Sequence, residues 1–198
     1  MRNDTERFEK AIAAFDAYHA RDPVFEEADG RQWPRELLYA HRMTARLNAF
    51  APNADEVLQL AARCQHIGRW EIPREQYSPD RKGYLQWRSA EKMHHASLAT
   101  DILRDCGYDE DTIGYVRKLV MKKELSSDAR SQLLEDVACL VFIEHYLEDF
   151  AHRQSEEKVV DIIGKTLKKM SVAARTSASA LTPPAMQNLI SRAVASER

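Results

Sequence analysis

The chain has 198 residues, 29 Lys and Arg against 31 Asp and Glu, a formal net charge of -2, and only six Gly and seven Pro. That length suits one domain, expected here to span residues 1–198, and the composition excludes a disordered or collagen-like chain. Near-neutral charge gives no global field to draw in a nucleic acid or an anionic membrane, so neither is expected as a partner. No apolar run approaches the roughly 20 residues needed to cross a bilayer. Cys64, Cys106 and Cys139 stand singly, outside any CxxC spacing, so neither a disulfide framework nor a thiolate zinc site is indicated. The opening MRNDTERFEK lacks the basic start and apolar run of a secretory leader, which makes a reducing cytoplasm the expected compartment.

Apolar periodicity near four residues predicts an all-α chain. Phe8, Ile12, Phe15 and Tyr18 mark a first helix from Asp4 to about Arg21. Pro34 suits the first turn of a second helix, whose inward side is read as Leu37, Leu38, His41, Thr44, Ala45 and Asn48. Val57, Leu58, Leu60, Ala61 and Cys64 cover more than half the circumference of a third, as in a central buried helix. From Gly68 to Tyr84, glycines and prolines interleave with Arg69, Arg74, Arg81 and Lys82, and a basic loop is expected.

Helical spacing resumes at Leu85 and stops at Cys106-Gly107, with Trp87, Ala90, His94 and Leu98 on one side and His95 turned outward. A short helix with Ile113, Val116 and Val120 follows. Ser126, Ser127 and Asp128 offer an N-cap for the most apolar helix, whose stripe Leu133, Leu134, Val137, Leu140 and Val141 continues through Glu144. Two C-terminal helices over about residues 155–196 are split at Thr182-Pro183-Pro184. No internal repeat and no alternating strand is expected.

One order of residues carries chemistry: a histidine inside a helix (LLYAHRMTARLNAF), a polar pair ending a later helix and followed by Ile-Gly-basic (QHIGRW), then acids inside another helix (LLEDVACLVFIEHY). In this order the chain resembles the HD superfamily of metal-dependent phosphohydrolases, and it is also similar to a bacterial family of unknown function. The resemblance spans roughly residues 37–150. It implies an HD-like helical bundle and a divalent metal ion, with Mn, Mg, Fe and Zn not distinguished. His41, His66 and Asp136 would be the metal ligands. Gln65-His66 stands where the superfamily carries His-Asp, which removes one negative charge from the ligand set. The usual position of the last ligand falls on Ala138 rather than Asp136.

The activity so implied is metal-dependent hydrolysis of a nucleotide or another small phosphoester. The metal would activate water while Glu135, Asp136 or Glu144 takes its proton. Arg69, Arg74, Arg81, Lys82 and His94, or His95 in its place, would meet the substrate, the arginines gripping phosphate with two hydrogen bonds each. Glu144 shares a stripe with Val137, Leu140 and Val141, so an ionised carboxylate there requires a partner such as Arg42 or Arg63. The alternative is a non-catalytic HD-fold module that binds a nucleotide or a protein without metal. A helical interaction protein that forms a homodimer through helices near Ile162 or Leu189 is a third reading.

Overall fold

In the computed structural model, which describes residues 2–122 and 128–195, the chain is essentially all-α, as the periodicity predicts. It divides into two compact units, Met1–Glu124 and Leu125–Arg198. The segment compared with the HD superfamily, residues 37–150, contributes to both. Ser126 and Ser127, expected as helix caps, lie outside the described residues, whereas Asp128 does cap, accepting from the Arg130 backbone N–H at 2.9 Å.

The first unit opens with α1 (Arg2–His19), then a hairpin of β1 (Phe25–Ala28) and β2 (Arg31–Pro34). The hairpin departs from the expectation of no strand. Its signal is Asp29-Gly30, both at positive φ (52° and 73°), the backbone of the tight turn that Asp-Gly favours. Four helices follow: α2 (Arg35–Phe50), α3 (Glu56–Arg63), α4 (Arg81–Asp105) and α5 (Glu110–Val120). Asp55, Asp80 and Asp109 cap α3, α4 and α5 by accepting from Leu58, Gly83 and Thr112 backbone N–H groups.

α3 is buried on Leu58, Leu60, Ala61 and Ala62, and α1, α2 and α5 all pack against it. It is the central helix that its wide apolar face predicts. The stretch after it is tighter than a free loop. Gly68 takes φ 70°, short 3-10 turns form at Arg69–Glu71 and Arg74–Gln76, and α4 starts at Arg81 rather than at Leu85. Gly83 allows this early start, because a Cβ there would lie 2.1 Å from the Ser78 carbonyl oxygen.

The second unit comprises α6 (Ala129–His145), α7 (Leu147–His152), α8 (Glu156–Lys169), α9 (Val172–Leu181) and α10 (Gln187–Ala195). α6 packs on α7, α8 and α9, and α8 on α10. Val137, Leu140, Val141 and Ile143 are at most 1% exposed, so the stripe read for this helix is its core face. Among the described residues no helix is long and apolar enough to cross a membrane.

Candidate functional site

A narrow cleft in the first unit gathers the groups with chemistry. Gln65, His66, Arg69, Arg88, Glu91 and His95 line it, with Lys92 and Lys122 beside them, and its volume is about 10 Å³, room for about one water. Its floor lies where α3 ends and the Gly68 turn begins. A Cβ on Gly68 would come within 2.4 Å of Leu98 Cδ1, so glycine is what lets this turn lie against α4.

His66 is fixed from several sides. Its ring stacks on Tyr39 at 4.1 Å between centroids and 10° between planes. Nδ1 lies 3.5 Å from Glu36 Oε2, and Arg69 Nη1 lies 3.4 Å from both ring nitrogens. Burial, with Arg69, Lys122 and Arg88 nearby, holds its pKa well below the usual imidazole value, so the ring is neutral. His95 Nδ1 is 2.7 Å from the Ile67 carbonyl oxygen. A carbonyl only accepts, so Nδ1 carries the proton and Nε2 keeps its lone pair. Burial, followed by His66, pushes the His95 pKa down to about 2.

Two carboxylates back this pair. Glu36 and Glu91 are 5% and 2% exposed, and Arg69 Nε stands between them at 3.8 Å and 3.5 Å. Burial raises both pKa values against the pull of Arg69. Asp22 places Glu36, accepting from its backbone N–H at 3.0 Å with one oxygen and from that of Val24 at 2.9 Å with the other.

The residues singled out from sequence are dispersed. His41, read as pointing to the core, has a side chain 43% exposed, because the buried stripe of α2 is Glu36, Ala40, Met43 and Leu47. Its Nε2 accepts from Arg63 Nη2 at 3.0 Å, Arg63 itself being clamped by both oxygens of Asp16 at 2.6 Å. His41 does not line the cleft of His66. His94 and His95 exchange the orientations expected of them: His95 lies on the buried Glu91-His95-Ala99 stripe, whereas His94 donates from Nε2 to Glu71 Oε2 at 2.9 Å.

Arg69 alone of the expected basic contacts lines the cleft. Arg74 donates to the Tyr77 and Ser78 carbonyls at 2.9 Å and 2.7 Å and so pins its own turn, and Arg81 and Lys82 are exposed at the start of α4. In the second unit Asp136 accepts from Gln132 Nε2 at 2.9 Å and from the Ser171 backbone N–H at 2.8 Å, tying α6 to the cap of α9. Glu135 Oε1 lies 3.7 Å from Lys169 Nζ. Glu144 is half-buried rather than buried, 3.4 Å from His145 Nε2, while Arg42 and Arg63 are paired with Glu26 and Asp16.

Among the described residues no three His, Cys, Asp or Glu side chains form a group that could hold a metal ion. His66 and His95, with ring centroids 5.8 Å apart, come nearest, but Arg69 occupies the space beside Glu36 and Glu91. As arranged, the donor set does not fit a divalent ion. What the cleft offers instead is cations at its sides over a neutral imidazole. The sequence reading missed Glu36, Glu91, Arg88 and Lys122. Glu91 and His95 were legible as an i, i+4 pair on the face of Ala99 and Leu103.

No curated protein and no solved structure matches the chain. One family model does, that of a domain of unknown function (DUF4202), over residues 9–190, and the chain belongs to that family.

Proposed function

We propose that the His66 cleft binds the phosphate of a small phosphoester, and that hydrolysis of this ester is the activity of the chain. The single observation that carries the reading is the arrangement of Arg69, Arg88, Lys92 and Lys122 around a cleft whose imidazoles are neutral. Arginine in such a place meets phosphate through charge-assisted hydrogen bonds. A neutral His66 accepts a hydrogen bond from an attacking water, whose proton passes to a phosphate oxygen of the ester. Glu91, whose raised pKa keeps its proton to higher pH than an exposed glutamate, supplies one to the leaving oxygen.

Inorganic phosphate titrated into the purified protein by calorimetry tests binding, with saturable uptake expected and Arg69→Met expected to weaken it at least tenfold. A panel of phosphoesters, each assayed with and without manganese, tests hydrolysis and the metal dependence that the HD resemblance implies. No uptake of phosphate would end the proposal. Arg69 held by Glu36 and Glu91, with no three-donor metal group among the described residues, favours a second reading, a module that binds the ester without cleaving it. Phosphate binding without turnover of any ester is its expected outcome.

A further inference from the structure

The second unit has a cavity of its own, about 270 Å³ in volume. α9 packs on α6 and α10 packs on α8, and the cavity is the groove between α9 and α10, with Leu167 of α8 in its lining. Its apolar lining is Leu167, Ala178, Ile190 and Val194, of which the first three are buried and Val194 is 45% exposed. The α9 sequence VAARTSASAL gives the reason the groove stays open: Ala178 and Ser179 bring too little volume to fill it.

Arg175 is the one charged residue in this lining. Its Nε donates to the Met170 carbonyl at 3.2 Å, which anchors the guanidinium, and its Nη groups have no partner among the described residues. The lining hydroxyls already donate within their own helix, Thr176 to the Val172 carbonyl at 3.1 Å and Ser179 to that of Arg175 at 3.4 Å. No carboxylate competes for the arginine, since neither α9 nor α10 contains Asp or Glu. A molecule that matches the groove therefore has an anionic head and an apolar body.

We infer that the groove binds a straight-chain aliphatic carboxylate, its head held by the Arg175 Nη groups through two parallel hydrogen bonds and its chain laid against Leu167, Ala178, Ile190 and Val194. The volume lies just under the roughly 300–1,000 Å³ of pockets for drug-sized ligands, which suits a chain of medium length. An exposed ion pair stabilises little, so the methylenes supply the affinity and Arg175 sets the direction of binding. The site is independent of the phosphate reading above.

Calorimetric titration of the whole chain with butanoate, hexanoate, octanoate, dodecanoate and octanol, each below its micelle concentration, tests the inference. From butanoate to octanoate, affinity is expected to rise about fourfold per added methylene, the ratio equivalent to 0.8 kcal/mol for each buried CH₂, and to level off by dodecanoate. Octanol keeps the chain without the charge and is expected to bind at least threefold more weakly than octanoate. Arg175 is exposed, so Arg175→Gln is expected to fold as the parent does and to remove that difference. Val194→Asp sets a carboxylate beside the chain and is expected to abolish octanoate binding. No saturable binding of octanoate, octanol binding as tightly as octanoate, or octanoate binding unaltered in both variants overturns the inference. A climb that continues through dodecanoate overturns the medium length.

Discussion

The rings of Tyr39 and His66 lie 4.1 Å apart and nearly parallel, so a residue early in α2 sets the plane of the imidazole three residues past the end of α3. Such aromatic contacts contribute about 0.5–1.5 kcal/mol beyond the area they bury. Tyr39→Leu is expected to cost about 1 kcal/mol of stability in chemical denaturation and, by loosening His66, to weaken phosphate uptake several-fold. Loss of stability with unaltered phosphate affinity would show that the stack has no part in the site.

Gly68 joins sequence to site most directly. At φ 70°, with Leu98 Cδ1 and His94 Nε2 at 2.4 Å and 2.9 Å from a would-be Cβ, Gly68→Ala combines backbone strain with a clash. A loss of about 2 kcal/mol or more is expected, read as a lower denaturation midpoint. A variant as stable as the parent would contradict the geometry of this turn.

Acid should weaken the fold through its buried imidazoles. His95 has a pKa of about 2 in the fold, against an ordinary value of 6.5, so below that value the unfolded chain binds a proton that the folded chain refuses. The stability it contributes is therefore complete above about pH 6.5 and is lost as pH falls towards the folded value. At pH 5.5 that loss is on the order of 1 kcal/mol from this one residue. His66 acts in the same direction. Glu36 and Glu91 oppose it, since their raised pKa values give stability that is complete below about pH 4.5 and lost as pH rises through the folded values. His95→Gln should thus show a shallower fall in Tm between pH 7.5 and 5.5 than the parent chain. An identical pH profile would mean that His95 titrates normally.

Asp136 stands as a structural residue in its own unit. Asp136→Ala strands the Ser171 backbone N–H and the Gln132 amide, at an expected cost of about 2–3 kcal/mol. Phosphate affinity per folded molecule should not change. A loss of ester hydrolysis in a variant that keeps its folded spectrum would return Asp136 to the catalytic role that the HD resemblance implies.

Spacing alone determined a good deal here. The all-α class, the buried face of α3, the core stripe of α6 and the polar turn after Cys64 follow from apolar period and from glycine and proline, which act locally. Asp29-Gly30 was equally local, and its hairpin was there to be read. What only tertiary structure decided is which flank of each amphipathic helix turned inward. On α2 and α4 the polar residues are mixed through the apolar ones, so a rotation of two residues separates His41 from Met43 and of one residue His94 from His95. Glu36 and Glu91 are buried carboxylates of a kind no sequence pattern advertises, and they became a pair only when Arg69, on the turn that Gly68 permits, came to lie between them. Packing fixed that rotation, because burying a helix face is a property of its neighbours as much as of its own residues.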